Sequence, residues 1–308
     1  MKELTREHKL LKTILLYRYM YLFILPAFIW YFVFQYIPMY GLTLGFKEFR
    51  FDMSLWNSPW VGTRYLKEFL TDSMFRPLLF NTVKISLLKL VVGFLAPIVL
   101  ALMLNEVISP RFKRVMQTVS YLPYFISWVV VIAIFNKFVS PTDGMINDLK
   151  VAAFGGDPIF FMGEAGWFYP IMLLSFVWKN IGWNSIIYLA TIAGIDPQLY
   201  EAAYIDGAGK WKSMIHITLP GIVPTAAILL LLSMGSIMYA GYEQIILLKT
   251  PGNSLLSQIL DTQILEQGIR QGRYGYATVA GLFQGTIGLI LVTISNYVAK
   301  KSSGISLW

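Results

Sequence analysis

Four ionisable side chains, Lys84, Lys89, Lys179 and Glu243, fall inside long apolar runs of the chain. A charge at the centre of a bilayer costs about 2.5–3.5 kcal/mol on insertion scales, so each must be paired, hydrated or in use. Lys84 and Glu243 lie at similar depth in their runs and are expected to form an ion pair; the competing reading for Lys84 is snorkelling to the interface. Lys89 and Lys179 lie deeper with no spare acid. They are expected to face a partner subunit, carbonyl oxygens or a water-filled path. Amides and aromatics accompany them. Asn180, Trp183, Asn184 and Tyr188 share one helical face through spacings of three and four. Tyr239, Tyr242, Glu243 and Gln244 follow in the next run, and Gln284 stands near the middle of the last. Rings stack on C–H faces while amides and carboxylates bind hydroxyls, a combination that suits a hydroxyl-rich solute. Asn180, Trp183, Asn184, Tyr239, Tyr242, Glu243 and Gln284 are therefore the candidate substrate path, with ordinary helix–helix hydrogen bonding as the rival explanation.

No catalytic constellation accompanies these groups. The histidines are His8 and His216, and no HExxH or Gly-x-Ser-x-Gly pattern occurs. Gly209-Lys210 has the look of the end of a phosphate-binding loop. Tyr204 occupies the place of its first glycine, however, and Trp211 the place of its hydroxyl residue. No catalytic residue and no metal site is expected. With 0 cysteines there is no disulfide or thiolate chemistry.

A second kind of chemistry is concentrated in a polar, basic island, EAAYIDGAGKWKSMIHITLP, over residues 201–220. Asp196 is a good N-cap and Pro197 a good first helical residue. A helix is expected over 197–206, then a bend at Gly207 where a side chain would obstruct close approach. A second short helix is expected from about Lys210, ending before Pro220 and Pro224.

The elements that position these groups follow from composition. Of 308 residues, 56% are hydrophobic and only 14% charged, against about 25% charged in soluble domains. Apolar stretches of roughly 20 residues recur, each able to cross a bilayer. The fold class expected is all-α, a polytopic membrane protein with six transmembrane helices at about 20–40, 78–104, 115–138, 167–194, 224–249 and 274–299. Barrel strands would need dyad alternation, which is missing. The first run is too long for a signal peptide and lacks a cleavage site, so it reads as a retained span. The net charge of +8 is spread over run ends rather than gathered into a patch, which argues for membrane lipid as neighbour and against nucleic acid. Lys and Arg are denser in segments 1–19, 105–114, 195–223 and 300–308 than in 41–77, 139–166 and 250–273. Both termini and the 195–223 loop are therefore expected in the cytoplasm. The layout is a cytoplasmic segment 1–19, a membrane domain 20–299 and a tail 300–308. The aromatics of 41–77, among them Trp56 and Trp60, suit the outer interface or an external binding protein. Gly281, Gly285 and Gly288 form a small-residue face suited to helix packing.

Glu201-Ala202-Ala203, Gly207 and Ile217-x-Leu219-Pro220 resemble, position for position, the EAA loop of binding-protein-dependent ABC importer permeases. LPAFIWYFVFQYIPMYGL, LNEV followed by FKRVMQTVSYLPYFISWVV, and RYGYATVAGLF are similar to the carbohydrate and polysaccharide permeases of the maltose-transporter-like group, in its LplB-like branch. Tyr124 stands where that branch carries His. The resemblance covers nearly the whole chain. It implies a type I ABC importer permease fold, and Glu201, Ala202, Ala203, Asp206, Gly207, Ile217, Leu219 and Pro220 as ATPase-coupling residues. It implies as partners a second, homologous permease in a heterodimer, two ATP-binding subunits that hold ATP and Mg, and an extracellular solute-binding lipoprotein. This subunit itself would hold no cofactor and would not be an enzyme. The location implied is the bacterial cytoplasmic membrane, and the activity is import of oligosaccharide by alternating access. The alternatives are an ABC permease for an amino acid or polyamine, and an ion-coupled secondary transporter. The latter would show repeats and broken helices around ion sites and would leave the EAA loop without a task.

Overall fold

A computed structural model describes residue 13 and residues 16–50, 52–304 and 306–308. Lys2, Arg6, Lys9 and Lys12 of the basic N-terminal segment lie outside the described residues. The described chain is all-α; its β-pairing is confined to an isolated bridge between Lys47 and Trp60.

Helix α1 runs over Arg18–Phe46 with a π turn at Phe32–Tyr36, and no residue of its apolar window is buried. A short amphipathic α2, Arg64–Thr71, leads into α3, Phe75–Asn105. Next comes α4, Pro110–Tyr121, continuing as a 3-10 turn through Phe125, and then α5, Trp128–Val139. After α6, Met145–Phe154, comes α7, Phe168–Ala193, then α8, Pro197–Ile205. α9 spans Lys210–Gly235, and the short α10, Tyr242–Leu248, and α11, Leu260–Leu265, precede α12, Tyr274–Ser303.

Four described helices are long and apolar enough to cross a membrane: Arg18–Phe46, Phe75–Asn105, Lys210–Gly235 and Tyr274–Lys301. The expected span 115–138 is a bent pair, Pro110–Phe125 and Trp128–Val139, meeting at 107°. α7 has 26 residues, about 39 Å at 1.5 Å per residue. Lys179, Asn180 and Asn184 dilute its hydropathy.

Two expectations are corrected in the 195–273 stretch. The helix beginning at Lys210 does not end before Pro220 and Pro224. Residues Met214–Thr218 wind as a π turn, with the Leu219 N–H reaching back to Met214 O, and α9 continues through both prolines. The wider turn accommodates a residue that lacks an N–H and crowds the preceding carbonyl. The expected span 224–249 is not continuous either. It unwinds after Gly235, and Gly241 takes φ +79 before α10 begins. Residues 250–273, the expected outer segment, pack on the bundle with Ile259 and Leu260 fully buried. Asn81 of α3 donates to Leu255 O at 2.7 Å and Gln258 O at 3.0 Å, and Thr82 Oγ1 accepts the Leu260 N–H at 2.9 Å.

The core has three apolar clusters, centred on Met172 and Ile245, on Phe69 and Tyr276, and on Tyr188 and Ile222. On the small-residue face of α12, a Cβ at Gly288 would lie 2.5 Å from Gly235 O, so α9 and α12 approach through their glycines; Gly281 has open space.

Candidate coupling loop and translocation path

The EAA stretch folds as its local chemistry requires. The Asp196 carboxylate accepts the Gln198 N–H at 3.0 Å with Pro197 at the first helical position. Ala208 N–H closes on Ala203 O at 2.8 Å, and Gly207 turns the chain at φ +75. A Cβ there would meet nothing within 4 Å. Within this chain the glycine is therefore required by its left-handed backbone and not by crowding, and the space beside it is open. Tyr200 Oη and Thr218 Oγ1, 2.9 Å apart, tie α8 to α9, and Lys210 Nζ reaches Glu106 at 3.5 Å at the end of α3. Glu201, Ala202 and Asp206 are exposed, as are Leu219 and Pro220, while Ala203 and Ile217 are half-buried. Tyr204, Ile205 and Trp211 are 82%, 83% and 72% exposed. The loop presents two carboxylates, Glu201 and Asp206, and three large side chains that nothing in the described chain covers.

Deeper in the bundle, Asn180 from α7, Tyr239 from the unwound stretch, and Tyr242 and Glu243 from α10 line one cavity of about 430 Å³ together with Ser86 and Lys89 of α3. Asn184 lines a second cavity, about 310 Å³, that shares Ser233 and Ser236 with the first. Asn184 is one turn beyond Asn180 on α7, so the two cavities follow each other along that helix. Trp183 borders neither. Its ring stacks on Tyr124 at 4.6 Å and 6°, bracing the bend between α4 and α5.

The unwound stretch 236–241 is held by side chains from three elements. Lys89 Nζ donates to Ala240 O at 2.7 Å. Asp261 of α11 accepts the Ala240 N–H at 2.9 Å and is also hydrogen-bonded by the Gly241 amide. Gln284 of α12 donates to Met238 O at 2.8 Å and to Asp261 at 2.9 Å. Non-helical backbone at membrane depth persists only where its polar groups are satisfied in this way. Gln284, expected on the path, is 1% exposed. It also borders a separate cavity of about 580 Å³ with Tyr239 and Tyr242, but its amide nitrogen is committed to this network.

Lys179 plays the corresponding part at the other break. Its Nζ donates to Tyr124 O at 2.7 Å and to Ile126 O, the carbonyls freed where α4 turns into α5. Both deep lysines therefore find carbonyl oxygens in their own chain, and neither supplies an argument for a second subunit. Each also has an acid acting on it, Asp261 for Lys89 and Glu243 for Lys179. The expected Lys84–Glu243 ion pair is not among the ion pairs of the described residues. Lys84 Nζ instead stands 4.2 Å from the Tyr169 ring centroid. Glu243 lines the cavity with Lys89 and Asn180, and Lys84 is not among the residues of that lining. Sequence reasoning passes over Ser86, a small hydroxyl on α3, and Asp261, in a stretch read as an outer segment. The Ile259-Leu260 pair beside Asp261 is the signal that this stretch returns to the core.

Residues 93–303 match the family model described as binding-protein-dependent transport system inner membrane component. The chain belongs to this family. The permease is 40% identical to protein LplB of Bacillus subtilis (strain 168) across 92% of its own length and 89% of the relative's. It is equally 40% identical to the polygalacturonan/rhamnogalacturonan transport system permease protein YteP of the same organism, across 96% and 92%. It superimposes with a TM-score of 0.87 on a chain, 38% identical, of a bacterial ABC transporter involved in the import of the acidic polysaccharide alginate. The match covers 96% of the permease and 99% of that chain. The score is again 0.87, at 37% identity, for the alginate transporter in complex with alginate pentasaccharide-bound periplasmic protein. The family match takes in the 195–223 loop and the cavity residues from α7 to α12; Ser86 and Lys89 precede it.

Proposed function

We propose that this permease carries oligosaccharides inward through the cavities beside the break after α9, driven by ATPase subunits that dock on the 195–223 loop. The observation that carries the reading is the convergence of an amide, two phenols and a carboxylate (Asn180, Tyr239, Tyr242 and Glu243) on one cavity at membrane depth. Hydroxyl-rich solutes need that mixture of donors, acceptors and flat rings. The cargoes named for the relatives, polygalacturonan and rhamnogalacturonan for one and alginate for another, support a carbohydrate cargo.

The partner set completes the mechanism. ATP and Mg belong to two separate ATP-binding subunits, and this subunit performs no hydrolysis. Their cleft receives Glu201 through Asp206 with Tyr204, Ile205 and Trp211, while Gly207 leaves room for close approach. A second, non-identical permease covers the lipid-like surface of α1, and an external solute-binding lipoprotein delivers cargo. The orientation is both termini inside, with residues 1–19 and 300–308 flanking the membrane domain.

The test is uptake of labelled oligosaccharides against amino acids and polyamines in cells carrying the complete transporter. Uptake of oligosaccharides is expected. Uptake confined to amino acids or polyamines would overturn the carbohydrate reading and leave the importer reading standing. Failure of the chain to co-purify with an ATPase would overturn the importer reading.

A further inference from the structure

Two residues that line the 430 Å³ cavity carry buried polar atoms that the folded chain leaves without a partner. Among the described residues three buried side-chain atoms lack a hydrogen-bond partner, and two of them, Ser86 Oγ and Gln244 Oε1, belong to residues lining this cavity. Ser86 is 7% and Gln244 1% exposed. The orientation of the Gln244 amide is decided by its other end. Nε2 donates to Met172 O at 2.7 Å and to Ser175 Oγ at 2.8 Å, and Ser175 has carbonyl acceptors of its own at Ile171 and Met172. Oε1 is thus an acceptor that wants a donor. Lys89 Nζ, on the same wall, spends one N–H on Ala240 O at 2.7 Å and has three to give. A buried polar atom without a partner costs free energy, and a native structure that keeps two on residues lining one cavity calls for an occupant.

We propose that Ser86, Gln244 and Lys89 form a subsite that reads a hydroxyl edge of the transported sugar. The chemistry of the three groups selects the ligand. Gln244 Oε1 requires a donor, the Lys89 ammonium requires an acceptor, and the Ser86 hydroxyl serves as either. An ionised carboxylate only accepts and would leave Gln244 Oε1 bare. An ammonium only donates and would be repelled by Lys89. A hydroxyl does both, so a pair of neighbouring hydroxyls satisfies all three groups. Uronate carboxylates are accordingly read elsewhere, by the binding protein or by other path residues. Asp261 and Gln284 act through the backbone. By fixing Met238 and Ala240 they hold α10, and hence Gln244, against α3. The subsite rests on the carbohydrate reading above.

The experiment uses the complete transporter in proteoliposomes with its binding protein. The probes are a labelled panel of trigalacturonate, alginate pentasaccharide, arabinotriose and xylotriose. Ser86→Ala is expected to raise the KM for uptake of whichever probes the unsubstituted protein carries by about 3- to 10-fold, the worth of one hydrogen bond. Its thermal stability should be unchanged or higher, since the hydroxyl makes no bond in the unloaded fold. Ser86→Thr, which keeps the hydroxyl, should restore KM. An unchanged KM in Ser86→Ala overturns the subsite, as does a raised KM that threonine fails to restore, because the effect is then packing. Uptake of none of the four probes by the unsubstituted transporter overturns the carbohydrate reading itself, a result distinct from the other two.

Discussion

Gln284 separates two accounts of the same side chain, a contact for the substrate and a strut for the broken helix. In the structure its Nε2 holds Met238 O at 2.8 Å and Asp261 at 2.9 Å while the residue is 1% exposed. Gln284→Leu keeps the volume roughly constant and removes both bonds. Interhelical bonds in membrane proteins average about 0.6 kcal/mol and reach about 1.7, and a bond to a charged group is worth about 1.5–3 kcal/mol. The loss is therefore about 2–5 kcal/mol, concentrated on stretch 236–241, because Met238 O is left unsatisfied and Asp261 keeps only its backbone donors. At about 2–4 °C per kcal/mol for a chain of this order of size, the purified transporter should lose its native fold roughly 4–20 °C lower. The assay is thermal unfolding followed by tryptophan fluorescence, beside uptake kinetics at a temperature where both proteins are folded. The strut account expects the temperature shift and a fall in the maximal rate. An unchanged unfolding temperature with a raised KM would refute it and return Gln284 to the substrate path.

The chain's 0 cysteines allow single cysteines to be introduced cleanly in the remaining tests. Gly207→Leu forces a side chain into φ +75, at about 1–2 kcal/mol for the left-handed backbone, and places bulk where a partner approaches. Uptake should be abolished with membrane insertion intact, and survival of both uptake and ATPase association would show that the loop does not dock. Lys179→Met strips Tyr124 O and Ile126 O of their donor; a cysteine at Ile126 should then become more reactive to a water-soluble maleimide, and an unaltered labelling rate would contradict the role of Lys179 at the bend. Tyr242→Ala should lower the uptake rate several-fold without changing the binding protein's own affinity, and unaltered kinetics would remove Tyr242 from the path. Expressed without the proposed second permease, the chain should not transport; a transport-competent complex of this permease alone with ATPase would contradict the heterodimer.

The local fold of the 195–223 loop and the membrane character were legible in the sequence because both are local. An N-cap aspartate, a proline at the first helical position, a glycine at a positive-φ turn and runs of apolar residues act over a few neighbouring positions, and no distant partner changes what they do. The polar groups near Asn180, Tyr239, Tyr242 and Glu243 were also legible, since hydrocarbon makes any such group conspicuous. The breaks at Phe125–Trp128 and at 236–241 were not. Whether a span unwinds depends on who satisfies the freed carbonyls. Here the answers are Lys179, 55 residues from Tyr124, and Lys89, 151 residues from Ala240. The same distance hides the partner of Lys84, the burial of Asp261 and the double duty of Gln284. Spacing along the chain says which groups need a partner. Only the packing of α3, α7, α11 and α12 around the unwound stretch decides which partner each one receives, and which atoms are left over for a ligand.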